Sequence, residues 1–280
     1  MTVTPPSREV LEWVAASVGA TSASWSRSLL GGMHAVTDVV RTSDRQDLVL
    51  RRFPAGDDAV HREVRVLSAI DGLDGLAPLL IAADPDGATG TPTILTTLLA
   101  GSAFITPHDP VDFARQLGRT LASIHARAPG PGLSDVITSP RAAAQFGACP
   151  EQLLAEPHVL THFDFWSGNT VWRDGRLTGV VDWCGAGTAP PGLDVSWARL
   201  DLILLYDRVV ADAFTRAYES AVGVQVPDID LWDLYAASNA RPNVESWAPG
   251  YQGLGRGDLG PASLRQRLTE WSRIAGGNEH

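Results

Sequence analysis

Within Thr161-His162-Phe163-Asp164-Phe165-Trp166-Ser167-Gly168-Asn169, an aspartate and an asparagine stand five positions apart. A second aspartate, Asp182, closes the run Leu177-Thr178-Gly179-Val180-Val181. This set suits phosphoryl transfer. A carboxylate can take a proton from a hydroxyl within hydrogen-bonding reach, which assigns Asp164 the part of base. Asn169 offers a neutral oxygen and Asp182 an anionic one, hard ligands of the kind that magnesium shares with nucleotide phosphates. His162 is read as a brace for the loop rather than a proton donor, and His125 as a packed core histidine.

A nucleotide also needs a cation for its phosphates. In Leu48-Val49-Leu50-Arg51-Arg52, strand alternation puts Val49 and Arg51 on one face and Leu50 and Arg52 on the other. Val49 is expected over the nucleobase and Arg51 at the phosphates, with Arg52 pointing away. Glu63, twelve residues after Arg51, is the partner expected to orient it. Gly31-Gly32, between two strand-like stretches, can let backbone approach phosphate.

The elements that must position these residues follow from periodicity. Residues 8–18 read as an amphipathic helix with Val10, Leu11, Val14 and Val18 on one side. Strands are expected at Ser26–Leu30, Ala35–Arg41, Asp47–Phe53 and Ile94–Leu99, and a helix at Asp57–Ile70. Pro110–Arg127 is a strong helix with Phe113, Leu117, Leu121 and Ile124 on one face, and residues 130–150 read as loop. The catalytic segment leads into a hairpin, Thr170–Arg173 and Leu177–Val181, turning at Asp174-Gly175. Asp182 is therefore placed at the end of a buried strand. Beyond residue 195 the chain is mainly helical, interrupted by Trp247–Pro261. The fold class expected is α+β: a small antiparallel β-sheet lobe over residues 1–99 that binds nucleotide, a hinge near 97–101, and a larger, mainly helical lobe over 100–280 for catalysis and substrate.

The chain's 280 residues can bury substantial cores. The net charge is -10 and all 22 basic residues are arginine, which disfavours nucleic-acid binding, since a phosphate backbone calls for a basic face. Residues 151–280 hold 17 acidic residues against 10 arginines, a balance able to attract a cationic ligand. With two cysteines, no signal-like N-terminus and no membrane-length apolar run, a cytoplasmic protein without membrane contact is expected.

The runs Leu160 to Asn169, Val181-Asp182-Trp183 and Pro190-Pro191-Gly192-Leu193-Asp194 closely resemble the aminoglycoside phosphotransferase and choline kinase family. Leu121 to Ala126 and Leu48 to Arg52 are similar to other segments of it, so the likeness spans roughly residues 25–205. It implies a two-lobed, protein-kinase-like fold and phosphorylation of a small molecule's hydroxyl by ATP or GTP with Mg2+. By the same match Asp164 is the base, Asn169 and Asp182 are metal ligands, and Asp194 braces the catalytic loop. Backbone atoms of Thr97, Leu98 and Leu99 would hold the nucleobase. The sequence departs from the family pattern twice: Phe163 stands where glycine is usual, and Arg51 where lysine is usual.

Only eleven residues separate Asp182 from Asp194, too few for the activation segment of a protein kinase. The acceptor is therefore expected to be small and cationic, met by the helices after residue 195. Asp201, Asp233, Glu245 and Trp247 are the candidate substrate-binding residues there, through ion pairs and cation–π contacts. The leading expectation is inactivation of a cationic antibiotic of the aminoglycoside or basic-peptide type. A metabolite kinase of the choline, sugar or homoserine type is the second reading, and a non-catalytic nucleotide binder the third. An aromatic-lined pocket with few carboxylates would favour choline.

Overall fold

The computed structural model describes residues 4–29, 35–139 and 148–276. The chain forms two compact units, Met1–Ala100 and Gly101–His280.

In the first unit, Ser7 accepts a hydrogen bond from the Val10 N–H and so caps α1 (Arg8–Ser17). Five antiparallel strands follow, β1 (Ala23–Ser28), β2 (Val36–Thr42), β3 (Asp47–Arg52), β4 (Leu80–Asp84) and β5 (Thr93–Thr97), in the spatial order β1-β2-β3-β5-β4. Val10 and Val14 of α1 close a core with Val40, Leu48, Leu50 and Leu95 on one face of this sheet. Between β3 and β4 lies α2 (Ala59–Ile70), which buries Val60, Val66, Leu67 and Ile70 together with Glu63. The expected strand at 26–30 begins earlier, at Ala23, and Gly31-Gly32 lie outside the described residues. The strand expected to run to Leu99 ends at Thr97. β4 escaped notice because Leu80-Ile81-Ala82-Ala83 lacks the apolar–polar alternation that marks a half-buried strand.

The second unit begins with the short β6 (Ser102–Ala103) and α3 (Pro110–His125). Asp109 caps α3 by accepting from the Val111 and Asp112 N–H groups, and Pro110 supplies a first residue that needs no donor. β7 (Val159–Thr161) pairs with β10 (Gly187–Ala189), and between them β8 (Thr170–Arg173) and β9 (Arg176–Val180) form the hairpin. Asp174 and Gly175 both adopt positive φ there, as a tight hairpin turn of this kind requires. The helices α4 (Gly192–Leu205), α5 (Arg208–Val222), α6 (Ile229–Ala240), α7 (Ala248–Gly253) and α8 (Pro261–Gly276) complete the unit. α7 falls inside the stretch expected to interrupt the helices. α4 is apolar nearly all round and buries almost every residue, the signature of a helix enclosed by others; α5, α6 and α8 pack on it. Among the described residues no helix is long and apolar enough to cross a membrane.

Candidate active site

Asp164 lies in the loop between β7 and β8, and α4 holds that loop down. The Asp194 carboxylate accepts the backbone N–H groups of His162 (2.7 Å) and Phe163 (2.8 Å). One turn later along α4, Trp197 donates its indole N–H to Asp164 Oδ1 (3.2 Å). One turn further, Asp201 accepts the N–H (2.9 Å) and hydroxyl of Ser167. Residues 194, 197 and 201 fall on one stripe of a helix, so a single face grips three successive points of the loop.

Asn169 closes the loop from its far end. Its amide NH2 donates to the Asp164 carbonyl (2.9 Å) and to Asp164 Oδ2 (3.0 Å), which leaves its side-chain oxygen as the atom it can offer a cation. His162 accepts the Asp164 N–H at Nδ1 (3.3 Å), so its proton sits on Nε2, which donates to the Val181 carbonyl (3.0 Å). Burial holds this imidazole below its ordinary pKa and hence neutral. His162 thus ties Asp164 to the segment that carries Asp182. His125 is equally structural: it meets the Tyr218 hydroxyl (2.8 Å) and Asp194 Oδ2 (3.3 Å) inside the unit.

Two backbone positions here depart from what their side chains favour. Phe163 has φ +72° and Asp182 φ +63°, the left-handed region in which a non-glycine residue carries about 1 kcal/mol or more of strain. This accounts for the glycine usual at position 163. The Phe163 ring packs over Gly185, where even a Cβ would come within 3.1 Å of it. β9 ends at Val180, one residue earlier than expected, so Asp182 lies two residues past it, in a turn pinned by the Trp183 indole N–H on the Val180 carbonyl (2.9 Å). A third constraint is steric. Trp166 folds across Gly168, and a Cβ at 168 would stand 2.1 Å from the ring.

Burial pushes the Asp164 carboxyl up to about 7, and the Asp182 carboxylate pushes in the same direction. The hydrogen bonds from Trp197 and Asn169 oppose both. Two like charges held this close call for a cation. Among the described residues no group of three or more His, Cys, Asp or Glu could hold a metal ion. One amide oxygen and one carboxylate suit instead an ion such as magnesium, which keeps waters and shares phosphate oxygens. The donor set fits.

Aromatic rings stand next to the base. Trp197 meets Trp247 edge to face, with centroids 5.5 Å apart, and Trp166 meets Tyr251 likewise at 5.6 Å. Tyr251 donates its hydroxyl to Asp201 Oδ1 (2.9 Å). Trp247 and Tyr251 are among the aromatics that the sequence offers for the substrate; Trp166 and Trp197 are not. The signal available for Trp197 was its position three residues after Asp194 on a helix.

The acidic candidates for substrate binding require correction. Asp233 is fully buried and gripped by Arg199, whose Nε (3.0 Å) and Nη2 (3.0 Å) donate to it. Arg199 also donates to Asp212 and to the Thr215 hydroxyl, so this cluster ties α4 to α5 and α6. Asp201 is buried and engaged with Ser167 and Tyr251. Glu245 forms a two-point ion pair with Arg265. All three carboxylates have partners within the chain.

In the first unit, alternation places the arginines of β3 as the sequence suggests. Arg51 Nη1 donates to Glu63 Oε1 of α2 at 2.6 Å, while Arg52 turns to Asp38 on β2 (2.8 Å) and to the Thr4 carbonyl. Val49 shares the face of Arg51 and is half-buried. Thr97 ends β5, its N–H on the Leu79 carbonyl (3.0 Å), and Leu98 and Leu99 follow outside the strand.

The model of the phosphotransferase enzyme family (APH) matches residues 27–145 and 133–235, most of the chain. The chain belongs to this family. Solved structures of similar fold include macrolide 2'-phosphotransferase MphH of Brachybacterium faecium, at 23% identity and a TM-score of 0.58, covering 97% of this chain and 99% of that one. Choline kinase LicA of Streptococcus pneumoniae matches at 16% identity and a TM-score of 0.61, covering 95% and 98%. The streptomycin–ATP complex of APH(2")-IIa matches at 14% identity and a TM-score of 0.56, covering 85% and 90%. At these identities the likeness is one of fold: the kinase-like α+β plan of aminoglycoside phosphotransferases and choline kinases. Curated proteins give no significant sequence match.

Proposed function

We propose that this member of the phosphotransferase family transfers the terminal phosphoryl group of ATP or GTP to a hydroxyl of an amine-bearing small molecule. The observation that carries the reading is the Asp164 carboxylate, held by Asn169 and Trp197 beside Asp182. Asp164 accepts the hydroxyl's hydrogen bond and takes its proton as the oxygen–phosphorus bond forms. Asn169 and Asp182 would hold magnesium, which when bound neutralises charge on the phosphate oxygens and the leaving group. Arg51, oriented by Glu63, meets the nucleotide phosphates, and Val49 and the backbone at Thr97–Leu99 meet the base. A nucleotide-dependent activity agrees with a cytoplasmic setting. The intact Asp164, Asn169 and Asp182 set speaks against a non-catalytic binder.

For the acceptor, the aromatic neighbours matter more than the acidic ones. Asp201, Asp233 and Glu245 have internal partners, whereas Trp166, Trp197 and Trp247 are half-buried close to the base. An ammonium group can lie on such rings. We therefore place first an antibiotic with one amine and a large apolar surface, of the macrolide kind, which phosphorylation would inactivate. The same rings favour a choline-like metabolite as the second reading. Mass spectrometry of amine-bearing antibiotics and metabolites incubated with the protein, magnesium and ATP or GTP tests this. One added phosphoryl group on a single compound, absent with Asp164→Ala, supports it. A polycationic aminoglycoside as the sole product sinks the acceptor assignment, and no product from any compound sinks the enzyme reading.

A further inference from the structure

The base of a hydroxyl transfer must present one lone pair to the acceptor in a fixed direction, because small misplacements of reacting groups are costly. In this loop the two oxygens of Asp164 are held by different means. Oδ2 takes a hydrogen bond from Asn169, five residues along the same loop, and Oδ1 takes one from Trp197 on α4. An indole N–H only donates, so this contact keeps its sense whatever the protonation of its surroundings. The ring itself is set from outside by Trp247, edge to face.

From this geometry, and resting on the phosphotransfer reading above, we infer that Trp197 is a positioning residue. Its indole N–H fixes the rotation of the Asp164 carboxylate and so the direction in which the acceptor hydroxyl is met. Asn169 alone leaves the carboxylate anchored at one oxygen and able to turn about that bond; Trp197 supplies the second anchor. The anchor comes from the same helical stripe, Asp194, Trp197 and Asp201, that fixes the loop backbone at His162, Phe163 and Ser167. Base and loop therefore share one frame. The link continues outward: Trp247 adjoins Trp197, and Tyr251, four residues later, hydrogen-bonds Asp201. A molecule resting on Trp247 thus lies one ring away from the base it must reach.

The test uses the full chain and two readouts. The chain's nine tryptophans give nine indole N–H resonances in 15N-labelled protein. The resonance lost in Trp197→Phe, or in Trp197→His should the first variant fold poorly, belongs to Trp197. In Asp164→Asn this resonance is expected to move further than any other indole resonance. If it stays in place, the contact does not exist and the inference fails. The second readout is magnesium-ATP turnover, with water as acceptor and with any compound phosphorylated in the screen. Trp197→Phe keeps an aromatic ring against Trp247 but has no N–H, and is expected to lower kcat about tenfold while the KM for ATP stays within twofold. Trp197→His, which retains a ring N–H, is expected to recover part of the loss. Unchanged kcat in a folded Trp197→Phe protein overturns the inference. A resonance that moves in Asp164→Asn, with a wild-type protein that never turns over nucleotide, would count against the phosphotransfer reading and leave the Trp197–Asp164 anchor standing.

Discussion

Asp164 and Asp233 are carboxylates of the same unit, both closely hydrogen-bonded. At Asp233 the guanidinium of Arg199 meets both oxygens, and Asp212 and Thr215 take further donors of the same arginine. Burial works against the charge of Arg199, but Asp233 beside it holds the guanidinium above its ordinary pKa. The cluster is internally neutralised and joins three helices. Burial raises both carboxyls, Asp233 to about 6 and Asp164 to about 7; at Asp233 the charge of Arg199 opposes the rise, whereas at Asp164 the Asp182 carboxylate adds to it and the described hydrogen-bond partners are neutral donors. Balanced charge serves the fold, whereas charge left in excess is available for chemistry.

Substitutions can break or sharpen that contrast. Asp164→Asn removes the proposed base and is expected to lower phosphoryl transfer by roughly a thousandfold or more in steady-state assays, ~4 kcal/mol of barrier. Its melting temperature should hold or rise, because a charge in a repulsive setting is gone. Asp233→Asn should do the reverse. Leaving Arg199 buried with Asp212 as its one remaining described carboxylate partner costs about 3 kcal/mol of stability in denaturant titrations, while turnover per folded molecule is kept. If both variants lose the same property, the two carboxylates do not differ as described.

Arg51→Met sharpens the contrast by asking to which class the Arg51–Glu63 pair belongs. That pair is also largely buried, with side chains 13% and 3% exposed. A nucleotide role predicts a KM for ATP raised roughly tenfold. A purely structural pair, like that of Arg199, would lower the melting temperature and leave KM alone. The smallest effect is expected at the exposed Asp258, which Arg256 holds down at about 2. A carboxyl whose pKa is depressed on folding adds stability above its unfolded value, near 4, and that stability is lost as pH falls toward 2. In so exposed a pair the gain is at most ~0.5 kcal/mol, so Asp258→Asn should shift thermal stability slightly at pH 7 and not at pH 2.

These cases also show how much could be read from the chain. The placing of Asp164 and Asn169 in one loop, with Asp182 just after the following hairpin, is legible because it depends on short spacing and on turn residues, Asp174 and Gly175, that announce themselves. Arg51 and Glu63 follow from strand alternation and helix phase. Asp233 could not be told from a surface acid because its partner, Arg199, lies 34 positions earlier on a different helix, and pairing over that distance leaves no local pattern. The same holds for Asp201 with Ser167 and Tyr251. Acidic composition suggested a cation-seeking surface; tertiary pairing had already used the acids concerned. The place of Trp197 three residues after Asp194 tells which helix face it shares, but not that its indole N–H will find a carboxylate.

The enclosed helix α4 has a consequence for how such a protein can change. A substitution along its stripe disturbs packing and chemistry together, so that helix is poorly placed to vary. The turn and short helix around Trp247 are under less constraint: Ser246, Pro249, Gly250 and Gln252 face solvent. On the proposed reading, mutations there alter which molecule is admitted while Asp164 keeps its setting. A scaffold divided in this way can follow a shifting supply of acceptors without having to reinvent its reaction.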